Sequence, residues 1–179
     1  MAYTRCVIAR SFLPLVPLLL LAAAPTAASE LSVSVEIPAL QVAEYHRPYV
    51  AVWVENDRER HQANLALWFD HDAANNEGSK WLKDLRQWWR RSGRNLGFPA
   101  DGFTGATRPA GHHQIRFNGS HKALAQLPSG SYQLVIEAAR EVGGRELVKL
   151  PFNWPIVQES RSRAQGSDEL GLIELSLKP

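Results

Sequence analysis

The chain has 179 residues, with 20 lysines and arginines against 18 aspartates and glutamates, and one cysteine. Arg5, Arg10 and that cysteine, Cys6, lie in an N-terminal stretch that reads as an export signal; without it the chain balances 18 basic against 18 acidic residues and has no thiol. This excludes disulfides, thiolate nucleophiles, iron–sulfur clusters and cysteine zinc sites, and it removes the cationic excess that nucleic-acid binding requires.

In chain order the export signal comes first. Arg5 and Arg10 precede the apolar run FLPLVPLLLLAAA, and the small-residue stretch PTAAS follows. The run is shorter than the roughly 20 residues of a spanning helix, and Pro14 and Pro17 interrupt it. Residues 1–28 are therefore predicted to be a signal peptide cleaved near Ala28, with an uncleaved N-terminal anchor as the alternative. Cys6 precedes the apolar run, the wrong place for a lipid-anchored cysteine. Residues 29–179 are expected to form a single domain in the periplasm, not spanning the membrane.

Strand patterns dominate that domain. LSVSVEI alternates with Leu31, Val33, Val35 and Ile37 on one face. YVAVWVEN sets Val50, Val52 and Val54 opposite Tyr49, Ala51 and Trp53, and ANLALWF is a third run. Then the rhythm breaks. SKWLKDLRQWWRRSGR places Trp81, Leu82, Leu85, Trp88 and Trp89 at helical spacing, predicting one amphipathic helix over about 79–92. Ser79 is the expected N-cap and Gly93 the expected left-handed stop, with Arg90, Arg91 and Arg94 at the negative end of the dipole. A loop over 93–111 follows. The strands resume with HQIRFNG, SYQLVIEAA, ELVKLPFNW and LGLIELSLK, while QESRSRAQGSD reads as a flexible polar loop. Seven short strands with turn signals between them predict a mainly β fold: an immunoglobulin-like antiparallel β-sandwich with one inserted amphipathic α-helix.

Asn118-Gly119 marks a tight turn after one strand, and LPSG marks another before Tyr132. About 30 residues here resemble the immunoglobulin-like module of flagellar hook-capping proteins, which bears on fold alone. Asn118-Gly119-Ser120 also matches a glycosylation sequon, but the turn explains it for an exported bacterial chain.

The loop contains DGFTGATRPAG, residues 101–111. Asp101-Gly102 and Gly105 are expected to turn the backbone, and Pro109 to extend Arg108, so that Thr107 is presented on an accessible bend. A threonine hydroxyl with no base beside it is a poor nucleophile, so activation would have to come from another enzyme. DGFTGAT resembles the flavin-attachment motif of extracytoplasmic flavoproteins, found in FMN-binding domains and in subunits of sodium-pumping quinone reductases. The resemblance implies that a magnesium-dependent flavin transferase joins FMN, taken from FAD, to the hydroxyl of Thr107. It makes Gly105 and Ala106 the positions that let the transferase approach, and Asp101 and Thr104 recognition positions.

YHRPYVAVWVE, KWLKDLRQWWRRSGR, DGFTGATRPAG and SYQLVIEAAREVGGREL together resemble a family of predicted periplasmic proteins, the domain of unknown function twenty-two seventy-one. The resemblance implies the company of flavin transferases and of PepSY-type membrane redox proteins. WFDHDAANNEG departs from the pattern, so no role passes to Asp70, His71 or Asp72.

Trp81, Trp88 and Trp89 could stack on a flavin ring, or simply be core residues at helical spacing. Arg90, Arg91 and Arg94 could meet the FMN phosphate, or be a solvated helix end. His112 and His113 are adjacent and point to opposite faces of a strand, and the remaining histidines are scattered, so no metal site is predicted. The nucleophile elbow, the phosphate loop and the paired-histidine protease motif are missing, which argues against a self-contained hydrolase. The expectation is a periplasmic electron-transfer flavoprotein with covalent FMN on Thr107. Its alternative is a cofactor-free immunoglobulin-like binding module.

Overall fold

The computed structural model describes residues 29–98, 100 and 102–179. The predicted signal peptide, 1–28, lies outside them, as does Asp101. Alternating apolar residues become strands with one buried face: in β1 (Glu30–Ile37), Leu31, Val33, Val35 and Ile37 are all buried. It is followed by β2 (Tyr49–Asn56), β3 (His61–Trp68), the two-residue β4 (Thr104–Gly105), β5 (Gly111–Asn118), β6 (Gly130–Ala139), β7 (Arg145–Trp154), β8 (Ser160–Gln165) and β9 (Leu172–Lys178). One sheet has the order β5-β1-β9-β8 and the other β4-β3-β2-β6-β7. All pairings are antiparallel except β3 with β4.

The two sheets share one core. Val33 and Val35 from β1 and Ile173 and Leu175 from β9 meet Val50, Val52 and Val54 of β2 and Leu134 and Ile136 of β6. Truncating one such leucine or isoleucine to alanine costs about 2–5 kcal/mol, because the dense surroundings do not collapse into the hole. β2 is apolar on its other face too. There Ala51 and Trp53, with Val135 of β6, meet Leu82, Leu85 and Trp88 in a second cluster under the helical segment.

The helical segment corrects the expectation of one helix over 79–92. It consists of α1 (Glu77–Lys80), a 3-10 turn over Trp81–Asp84, a break at Leu85 (φ −73°, ψ 69°) and α2 (Arg86–Arg91). The cause lies across the fold. The buried Glu137 of β6 accepts hydrogen bonds from Gln87 N at 3.0 Å and Trp88 N at 2.7 Å, and pairs with Arg145. A carboxylate at the positive end of a new helix satisfies amides that would otherwise lack partners, and so favours starting α2 afresh. Ser79 is not the N-cap: it lies inside α1 and donates to Asn76 O at 2.7 Å. Gly93 is not a left-handed stop but part of a 3-10 turn, where a Cβ would sit 2.5 Å from the Trp88 ring. It is glycine because Trp88 lies against it.

The polar stretch before the last strand is also corrected, since its Ser160–Gln165 part forms the edge strand β8, paired with β9. Ser162 and Ala164 are half-buried while Arg161 and Arg163 are exposed, and outward charges protect an edge from further pairing. A short α3 (Lys122–Ala125) precedes β6, where Tyr132 Oη donates to Pro128 O at 2.7 Å. The bond ties the start of β6 back to the turn before it. The mainly β, two-sheet architecture agrees with the sequence reading, and a sandwich is consistent with it. Among the described residues no helix is long and apolar enough to cross a membrane.

Candidate functional site

The motif loop is fixed at the edge of the five-stranded sheet. Leu67 N donates to Phe103 O at 2.8 Å and Phe69 N to Gly105 O at 3.0 Å, so Thr104 and Gly105 lie beside Leu67 and Trp68. The Thr104 hydroxyl donates to Ala100 O at 2.9 Å, which engages it within the loop. A second anchorage follows Thr107. The Arg108 guanidinium lies over the Trp68 ring at 5.6 Å, and His113 Nε2 is 2.7 Å from Pro109 O. A carbonyl only accepts, so Nε2 of His113 bears the proton. The same imidazole stands edge-on to Trp68 with centroids 5.7 Å apart.

Thr107 lies between these anchorages, half-buried, and lines a cleft of about 330 Å³. Tyr49 and Asp70 also line it, and three segments far apart in sequence form most of the other walls. The stretch before β2 supplies Tyr45, His46 and Arg47, the helical segment supplies Trp81 and Asp84, and the end of β6 supplies Arg140 and Glu141. Arg140 is committed elsewhere, with Nε and Nη2 each 3.0 Å from the buried Glu169 carboxylate. Arg47 is exposed. His46 lies 3.1 Å from Glu44 and 3.7 Å from Glu141. Three carboxylates of this cleft bear on the phenol of Tyr49. Burial holds its phenol above the ordinary value, and the charges of Asp70, Glu141 and Asp84 push the same way against a hydrogen bond to the Asp70 backbone.

Of the recognition positions implied by the resemblance, Thr104 is in β4; of the two that would let a transferase approach, Gly105 is in β4 and Ala106 is exposed on the loop. Gly105 does not turn the chain as expected. It has no positive φ, and a Cβ there would find only Trp68 Cδ1, at 4.0 Å. Among the described residues of the loop, positive φ is found at Gly102, 90°, and Gly111, 132°.

The tryptophans separate. Trp88 is fully buried, with its indole N–H on Asn64 Oδ1 at 2.9 Å, and Trp89 stacks on Phe98 at 6.4 Å; only Trp81 reaches the cleft. The helix-end arginines do not line it either: Arg91 pairs with Glu59 at 3.1 Å, and Arg90 and Arg94 are exposed away from it. Among the described residues no group of three or more histidines and carboxylates could hold a metal, and His71 is paired with its neighbour Asp72 at 2.7 Å. The walls contributed by Tyr45, Arg47 and Glu141 had no local signal in the sequence, because only the folded sheet brings them to Thr107.

Fold and site together define a two-sheet β protein that holds a threonine-bearing loop against an aromatic and charged cleft. By sequence the chain belongs to DUF2271, a family described as a predicted periplasmic protein, which matches residues 30–172. That description agrees with the periplasmic localisation expected from the export signal. No curated protein and no solved structure matches the chain.

Proposed function

We propose that the protein is a periplasmic electron carrier that bears FMN on Thr107. In this reading a flavin transferase directs the Thr107 hydroxyl onto the FMN-side phosphorus of FAD. The new phosphoester bond forms as the bond to AMP breaks, and AMP leaves while the hydroxyl proton passes to solvent or the transferase. Bound there, FMN supplies reversible one- and two-electron transfer. The chain's own part is to hold the attachment point still, wall the ring and set the charge around it. Electrons would pass to or from a PepSY-type membrane redox protein. A covalent tether suits a compartment where a dissociated cofactor is lost.

One observation carries the reading. The last threonine of an intact attachment motif lines a cleft whose volume falls at the lower end of ligand sites, roughly 300–1,000 Å³. Thr104, the other hydroxyl of the motif, is already bonded to Ala100 O.

The test is co-expression of the exported chain with a flavin transferase, followed by intact mass and a denaturing gel under ultraviolet light. The reading expects a fluorescent band, with a mass gain of one FMN less one water, that disappears in Thr107→Ala. A dark band of unmodified mass refutes it and favours the cofactor-free binding module.

A further inference from the structure

Trp81 differs from every other residue that made the helical segment look amphipathic. Leu82, Leu85 and Trp88 enter the cluster under the outer face of β2 and β6, and Trp89 packs against it; Trp81 belongs to neither core cluster and is 42% exposed. Helical periodicity therefore accounts for its neighbours but not for Trp81. Because it also lines a cleft, the indole presents an aromatic face to whatever enters that cleft.

Its position is defined. The indole begins the 3-10 turn directly after α1, and the Lys83 ammonium lies 5.9 Å from its ring centroid. It also lines two clefts at once. One is the cleft of Thr107. The other, of about 310 Å³, lies against the β6–β7 hairpin, where Val142 is 83% exposed. The indole is thus a partition between the attachment point and the hairpin tip.

Resting on the reading of Thr107 above, we infer that Trp81 is the stacking platform for the isoalloxazine ring. A planar ring tethered at Thr107 would find one exposed indole in the same cleft. Offset stacking of two aromatic systems stabilises beyond the apolar area it buries. Tyr45, 38% exposed, is the rival platform, but it lies in an irregular stretch before β2 and has no cation on its ring among the described contacts.

Flavin emission tests this directly. A stacked indole donates an electron to the excited flavin and returns it without light, so emission is quenched only while the rings touch. The wild-type chain, Trp81→Ala, Trp81→Phe and Tyr45→Ala are each co-expressed with the transferase. Emission per covalently bound flavin is then read before and after unfolding in guanidinium. The wild type and Tyr45→Ala are expected to be dim when folded and to brighten several-fold on unfolding. Trp81→Phe keeps a ring to stack on but is a poor electron donor, so it loads normally and is already bright when folded, as is Trp81→Ala. Equal dimness of the folded wild type and both Trp81 variants at equal loading overturns the platform and leaves the attachment standing. A wild-type chain of unmodified mass overturns both.

Discussion

Gly105→Ala separates what the fold needs from what a modifying enzyme needs. An alanine Cβ at this position meets nothing closer than Trp68 Cδ1 at 4.0 Å, and the backbone is in a region open to any residue. The native state therefore accepts the methyl group, and the unfolded chain loses freedom, which stabilises by about 0.4–1 kcal/mol. For a domain of this size each kcal/mol moves Tm by about 2–4 °C, so the variant should melt about 1–4 °C higher. Modification should respond the other way. If the transferase closes over the bare backbone of Gly105, an extra carbon in that contact costs about 1–3 kcal/mol. At 1.36 kcal/mol per tenfold, loading slows by about 5- to 150-fold. Differential scanning fluorimetry of the unmodified chain and timed intact-mass measurements with purified transferase and FAD read the two effects separately. Loading within twofold of wild type would refute the argument that this glycine is kept for the transferase. A Tm drop of several degrees would show that the glycine serves the fold instead.

Two further predictions concern polar groups of the five-stranded sheet that lie under the helical segment. Glu137→Gln keeps the shape but turns one of two accepting oxygens into a donor facing an amide of α2, and leaves Arg145 without its charge partner. Because Arg145 is partly exposed, the cost is discounted to about 2–3 kcal/mol, a Tm loss of about 4–12 °C by thermal melt; an unchanged Tm would remove Glu137 as the cause of the break at Leu85. His61 is held below its ordinary value of 6.5, first by burial, against a hydrogen bond to Asn64 and the charge of Glu55. The unfolded chain thus binds that proton more readily, so His61 favours the folded state fully above pH 6.5 and loses that contribution as pH falls below it. Thermal melts from pH 7 to 5 should fall less steeply in His61→Gln than in the wild type; parallel slopes would sink the assignment.

Legibility followed the range of the interactions involved. β1, β2 and β6 were readable because alternation is a local pattern, and the pleat turns it directly into two faces. α1 and α2 were read as one helix because the carboxylate that starts α2 belongs to Glu137, about fifty residues further on, and periodicity carries no trace of it. β8 was hidden by its composition: serine and arginine alternating on a sheet edge look like a solvated loop unless β9 is known to lie alongside. β4 is too short for any pattern, yet it positions the motif. Thr107 itself stood out through spacing in DGFTGAT. Its surroundings did not, since Tyr45, Trp81 and Glu141 meet only across the completed five-stranded sheet.

β2 has a consequence for how the chain avoids misfolding. On most half-buried strands a shift of one residue is forbidden because it would drive polar groups inward. β2 lacks that safeguard through Val54, since Val50, Val52 and Val54 face one apolar layer and Ala51 and Trp53 the other. Size and the buried charge of Glu55 do the discriminating. The indole of Trp53 packs in the outer layer beside Trp88, and the buried Glu55 on the same face is paired there with Lys149 at 3.3 Å and Arg91 at 3.7 Å. Correct alignment of this central strand is thus specified by the bulk of Trp53 together with one paired carboxylate, more than by alternation of apolar and polar residues.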